Sequence, residues 1–146
     1  DINMLPDAAK NELKEALQET SVNTGLNLIM ALSYSSRWEI VNAVKQIVND
    51  VKEGKLTASD ITQEVLHQYL TTKAFPDPEL MIRTSGEYRI SNFLLYQLAY
   101  AELYFTSTLW PDFRKENLYM AILDYQSRER RFGKTGEQIK NEEATG

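Results

Sequence analysis

Cysteine is absent from the 146 residues. That excludes disulfides and thiolate metal sites and fits a cytoplasmic setting. Histidine occurs once, as His67. It lies in a helical pattern with no second histidine to share a metal, so it reads as a surface or packing residue. No apolar run approaches the roughly 20 residues that span a bilayer. The first residues lack the basic, apolar and small-residue regions of a signal peptide. Excess positive charge is missing too: the net charge is −5. A general nucleic-acid binder needs a basic face against the phosphates, so that class is excluded, whereas a small focused anion site is not. There is no nucleophilic triad, metal-ligand motif or Walker loop.

What is present is ordinary for a globular chain, with 42% apolar and 25% charged residues and the length of about one domain. Pro6 to about Thr20 reads as a helix, with Ala9, Leu13, Ala16 and Leu17 at helical spacing. The nearly continuous apolar run from Leu26 to Tyr34 predicts a buried central strand. A strong helix follows from about Ser36 to Lys52, facing inward through Ile40, Val41, Val44, Ile47, Val48 and Val51, and Gly54 ends it. A shorter helix comes after Leu56, and "FPDPE" then forces an extended or turning path.

Leu80 to Thr84 reads as a second buried strand, closed by the turn "SGE". Ser91 is expected to open a helix through about Ala101, and Leu103 to Trp110 to contain a third strand. A last helix, from about Arg114 to Arg131, would turn Leu118, Ala121, Ile122 and Tyr125 inward, before a polar tail. Buried strands alternating with helices indicate an α/β fold, part of a mostly parallel sheet flanked by helices. Three strands for five helices is too few, which suggests the later part of a larger domain.

Ligands of parallel α/β sheets bind beyond the carboxyl ends of strands. Arg83 ends the second strand, and Arg89 and Ser91 follow on the loop. With Ser91 as N-cap, a helix N-terminus and two arginines would suit a phosphate or diphosphate. The alternative is an arginine paired with Glu87 and a serine that only caps. The helix through Phe93, Leu94, Leu95, Leu98, Ala99 and Tyr100 has almost no polar face beyond Gln97, which suggests a subunit interface. Glu102 ends that run, so it turns to solvent, pairs with a cationic side chain, or holds a hard cation such as Mg²⁺ beside a diphosphate. "RERRFGK", Arg128 to Lys134, is a basic cluster at the end of the last helix, where cations complement the helix dipole and a solvated face is the usual explanation.

"PDPELMIRTSGEYRISNFLLYQLAYAELYFTSTLWPDF" and "YQSRERRFG" closely resemble the cis-prenyltransferases, specifically the undecaprenyl diphosphate synthases, and "LNLIMALSYSSRWEI" looks like the family's earlier strand and helix. The resemblance implies a homodimeric transferase of isoprenoid biosynthesis. It would add isopentenyl diphosphate repeatedly, in cis, to farnesyl diphosphate, and the undecaprenyl product would serve as carrier precursor for cell-wall synthesis. Carried onto matching positions, Arg83, Arg89 and Ser91 would hold isopentenyl diphosphate. Glu102 would help place Mg²⁺ across the dimer interface, and the helix Phe93 to Ala101 would form much of that interface. Arg131 and Gly133 match an Arg-x-Gly signature that touches diphosphate in the partner's site. A lipid product implies peripheral contact with a membrane, at the inner face of the cytoplasmic side, although no segment here looks like an anchor.

Residues 1–146 would then be the C-terminal portion of one cis-prenyltransferase domain, with 134–146 a flexible tail. The family's Asp-Gly-Asn-Gly-Arg loop, which supplies the essential carboxylate, is not in this sequence, so these residues alone should not turn over. "SYSSR" stands where Asn-Tyr-Gly-Gly-Arg is common, leaving Ser33 and Ser35 without an assigned role. Tyr88 stands where some members carry a histidine near the metal, and tyrosine is a poor Mg²⁺ ligand. Two further readings remain: a non-catalytic partner subunit of such an enzyme, and an unrelated phosphate-binding module.

Overall fold

Four helices and two strands make up the computed structural model, which describes residues 4–128. Helix α1 spans Asp7–Thr20, α2 Ser36–Lys52, α3 Gln63–Tyr69 and α4 Lys115–Ser127, with strands β1, Leu80–Arg83, and β2, Glu102–Phe105, between α3 and α4. The chain divides into two units, one ending at Lys73 and one beginning at Ala74.

In the first unit, α2 packs on α3. Ser35 caps α2, its hydroxyl accepting from the Trp38 N–H at 3.5 Å. Gly54, at φ 73°, closes the helix: its N–H donates to Val51 O at 3.1 Å, and Lys55 N–H reaches Asp50 O at 2.9 Å. That pair of bonds is the left-handed helix stop that only glycine adopts without strain. The buried line of α2 is Ser36, Glu39, Ala43 and Ile47, at helical spacing, so the inward face is rotated from the valine-rich stripe expected from sequence. Val41, Val44 and Val48 are exposed.

The segment Leu26 to Tyr34 does not form the expected central strand. It is irregular, with Leu26 92% and Leu28 80% exposed. Apolar composition makes an extended segment willing to pair, but a strand exists only where another chain takes up its N–H and C=O groups. Among the described residues no strand pairs with it.

In the second unit, β1 and β2 pair in parallel, in the register Leu80 with Glu102 through Arg83 with Phe105. Such pairing needs a crossover of a dozen or more residues. Residues 84–101 supply it, although not as the expected helix. Ser91, Asn92 and Leu94 have φ of 48°, 62° and 46°, a left-handed backbone that interrupts the helical ladder. Only isolated turns remain, such as Leu98 N–H to Leu94 O at 2.9 Å. Burial does not follow the apolar run: Gln97 and Leu98 are both buried, Phe93 and Leu95 are a little over a third exposed, and Tyr100 is mostly exposed. Helix α4 packs on β2 through the fully buried Ala121, whereas Leu118 and Ile122, expected to face inward, are exposed. A parallel sheet in a chain that also carries helices makes this an α/β fold, as expected.

Candidate functional site

Arg83 closes β1, and its backbone is fixed on both sides. Its carbonyl accepts from Thr106 N–H at 2.9 Å, so the ladder continues one residue past β2. The chain then turns through Ser85 and Gly86, both left-handed at φ 68° and 66°. Their N–H groups donate to Thr108 O at 2.8 Å and Thr106 O at 2.9 Å. The exits of the two strands are therefore bolted into one rim at the carboxyl edge of the sheet. Beside it the Tyr88 and Phe105 rings lie 5.3 Å apart.

Behind this rim is a cleft of about 250 Å³ lined by Met81, Ile82, Arg83, Ile90 and Phe93. Four apolar side chains surround one cation. Arg83 Nε is buried with no hydrogen-bond acceptor among the described residues. A buried donor left unsatisfied costs about 1–3 kcal/mol, which an anionic ligand in the cleft would recover through a charge-assisted bond.

Arg89 and Ser91 flank Ile90, which forms part of that wall. Arg89 is two-thirds exposed and paired with the Glu87 carboxylate. An exposed pair of this kind contributes little, so a doubly charged anion competes with it readily. Ser91 is exposed and left-handed, not the extended N-cap expected, and no helix begins there. The helix-dipole part of the anion site is thus absent, and the arginines remain.

Glu102 sits at the opposite end of β2, across from Leu80. Three residue steps lead from it to Phe105, about 10 Å along the sheet. Arg128 Nη1 donates to Glu102 Oε2 at 2.8 Å and to Leu103 O at 3.0 Å. Arg128 Nη2 lies 2.5 Å from Asp124 Oδ2. The bond to Glu102 is the main reason the Arg128 guanidinium holds its proton more firmly than usual, with Asp124 adding to it. Of the options left by sequence, Glu102 thus has its cationic side-chain partner. Glu102 Oε1 has no protein partner among the described residues, and Mg²⁺ commonly takes one or two carboxylates, with water and phosphate oxygens completing its shell. The carboxylate fits that role as a single-oxygen ligand. Among the described residues no group of three or more acidic or histidine side chains could hold a metal without such help.

Arg131 and Gly133 lie outside the described residues. Ser35 and Ser33, unassigned from sequence, are respectively the α2 cap and a left-handed residue at φ 49°. Two residues escaped sequence reasoning. Arg128 was visible only as the first member of a basic cluster. Glu39, 1% exposed, accepts from Tyr34 OH at 2.5 Å, from Thr71 N–H at 2.9 Å and from the Thr71 hydroxyl. Its position on the 39, 43, 47 line was the only signal.

Among known proteins, the chain is 50% identical to the isoprenyl transferase of Chlorobaculum tepidum over 143 residues, 98% of this chain and 54% of that protein. It is also 50% identical to the isoprenyl transferase of Porphyromonas gingivalis, over 95% of this chain and 55% of that protein. It therefore spans about half the length of the curated relatives it matches. Two solved structures are alike. Lavandulyl diphosphate synthase of Lavandula x intermedia, in complex with dimethylallyl diphosphate, gives a TM-score of 0.87 at 37% identity, over 92% of this chain and 58% of that one. A probable undecaprenyl diphosphate synthase of Campylobacter jejuni gives 0.74 at 36%, over 92% and 60%. The prenyltransferase family model, described as undecaprenyl diphosphate synthase, matches residues 1–133, and the chain belongs to that family.

Proposed function

We propose that these residues are the isopentenyl-diphosphate-binding half of a cis-prenyltransferase that extends farnesyl diphosphate by successive cis additions to undecaprenyl diphosphate. The observation that carries the reading is Arg83: a cation at the carboxyl edge of a parallel sheet, its Nε buried without an acceptor, in a small cleft with apolar walls. A diphosphate head on a five-carbon tail has that same division of charge and hydrocarbon. Arg83 would hold the head, and Arg89 would join it by exchanging Glu87 for phosphate oxygens, with the Ser91 hydroxyl donating beside them. Isopentenyl diphosphate held this way presents its double bond to the allylic carbon. There the C–O bond to diphosphate breaks, the new C–C bond forms, and loss of a proton leaves the new cis double bond. Mg²⁺, when bound, neutralises charge on the departing diphosphate. Glu102 would contribute one oxygen to it.

The exposed Leu95 and Tyr100 support a homodimer in which this segment meets a second copy. In that dimer Arg131 and Gly133 would touch diphosphate in the partner's site. A water-insoluble product favours work at the inner face of a membrane, and no helix among the described residues is long and apolar enough to cross one. The likeness to lavandulyl diphosphate synthase, solved with dimethylallyl diphosphate, favours a second reading in which one five-carbon unit joins another. Incubation of the complete protein with labelled isopentenyl diphosphate, Mg²⁺ and either farnesyl or dimethylallyl diphosphate separates them. Fifty-five-carbon products from the farnesyl primer are expected, lost on chelation. Ten-carbon products from dimethylallyl diphosphate alone would establish the second reading.

A further inference from the structure

Arg128 has no role in the proposed function, yet its guanidinium makes three polar contacts. Its Nη1 holds Glu102 Oε2 at 2.8 Å and the carbonyl of the next residue, Leu103, at 3.0 Å. Its Nη2 is anchored in turn by Asp124, one turn back on α4, at 2.5 Å. One nitrogen of the guanidinium holds a carboxylate oxygen and the adjacent backbone carbonyl while the other faces Asp124, which restricts the direction in which the Glu102 side chain points. Only Oε2 is used, and Oε1 has no protein partner among the described residues. Carboxylates that ligate metals are characteristically steadied in this way through their other oxygen.

We propose that Arg128 is a positioning residue for Glu102, orienting Oε1 toward a divalent cation. The inference rests on the reading of Glu102 as an Mg²⁺ ligand and adds to it a second residue from a different element. Without Arg128 the carboxylate would keep its charge and lose its fixed geometry, so the affinity for the ion would fall even though a nearby positive charge had been removed.

The test is titration of the complete protein with Mn²⁺, a spectroscopic stand-in for Mg²⁺, in the presence of inorganic diphosphate. Free Mn²⁺ would be followed by its paramagnetic resonance signal. Arg128→Ala should weaken Mn²⁺ binding by about 10- to 100-fold, the usual cost of losing an outer partner. Arg128→Lys keeps the charge but not the fork, and should fall between wild type and alanine. It also guards against a fold lost in the alanine variant, which circular dichroism would reveal. Glu102→Ala should bind weakly, and Arg128→Ala added to it should cost nothing more. Unchanged or tighter binding in Arg128→Ala, with Glu102→Ala still weak, would overturn the positioning role alone and leave Arg128 as a tie between α4 and β2. Unchanged binding in Glu102→Ala would overturn the metal reading of Glu102 and the proposal with it.

Discussion

Arg83 and Phe105 face each other across the last rung of the parallel β1–β2 ladder, so the cation and the ring share the carboxyl edge of the sheet. The ring stacks toward Tyr88 at 5.3 Å, and the guanidinium lines the apolar cleft. Sheet register therefore sets where charge meets hydrocarbon at this edge, and the loop from Thr84 onward only has to bring its own polar groups to it.

Replacing Arg83 by Gln should leave the fold intact, because the ladder bond at this position uses the backbone carbonyl. It should raise KM for isopentenyl diphosphate by about 10- to 100-fold, since a hydrogen bond to a charged group is worth about 1.5–3 kcal/mol. Steady-state kinetics with the allylic diphosphate saturating would check this. An unchanged KM would remove Arg83 from the site.

Ser85 sits at φ 68° immediately before Gly86 at φ 66°. A side chain costs about 1–2 kcal/mol in that left-handed region, and a glycine would avoid the cost while giving some back through a more flexible unfolded chain. Ser85→Gly is expected to raise stability by about 0.5–1 kcal/mol, seen as a higher urea midpoint with unchanged slope. A lower midpoint would mean that the hydroxyl stabilises the turn more than the backbone strains it.

Sequence and structure agree where a signal is local. Helix α2 begins at Ser36 and stops at Gly54 because a capping serine and a left-handed glycine act within a few residues of themselves. Strand β1 followed from a short apolar run between a proline-rich bend and a glycine turn. They part where structure depends on distant partners. Leu26 to Tyr34 has the composition of a strand but no strand paired with it among the described residues. Residues 93–101 are so uniformly apolar that periodicity carried no information, and the left-handed Ser91, Asn92 and Leu94 decided the path. At the site, Arg83 was legible because the end of a strand can be counted. Arg128 was not, because its contact with Glu102 joins residues 26 apart.

Glu39 is the buried knot of the first unit, accepting from Tyr34 OH and from both Thr71 groups. Tyr34 is half-buried and Thr71 exposed, so water takes over part of what their donors lose in Glu39→Ala; with a hydrogen bond to a charged group worth about 1.5–3 kcal/mol, a loss of about 2–3 kcal/mol is expected in urea unfolding. Glu39→Gln keeps one acceptor oxygen and should lose clearly less. Equal losses in the two variants would mean that packing volume, and not the bonding, is what Glu39 supplies.

At the other end of α2, Tyr69 OH donates to Asp50 Oδ2 at 2.6 Å, and Lys55 Nζ lies 3.1 Å from Asp50 Oδ1. The tyrosine bond first, and Lys55 second, hold the Asp50 carboxyl below its ordinary range. The same bond pushes the Tyr69 hydroxyl above its own. The signs follow from linkage. A carboxyl with a lowered folded pKa contributes its stability above the unfolded value, near 3.9, and loses it as pH falls through the folded value. A hydroxyl with a raised folded pKa contributes fully below about 10 and loses its share as pH rises beyond the folded value. The urea midpoints of wild type and Tyr69→Phe should therefore differ by a constant amount from about pH 5 to 9 and converge below about pH 4 and above about pH 10. A gap that stayed constant down to about pH 2 would mean that Tyr69 stabilises α3 against α2 by its ring alone, with no part played by the Asp50 charge.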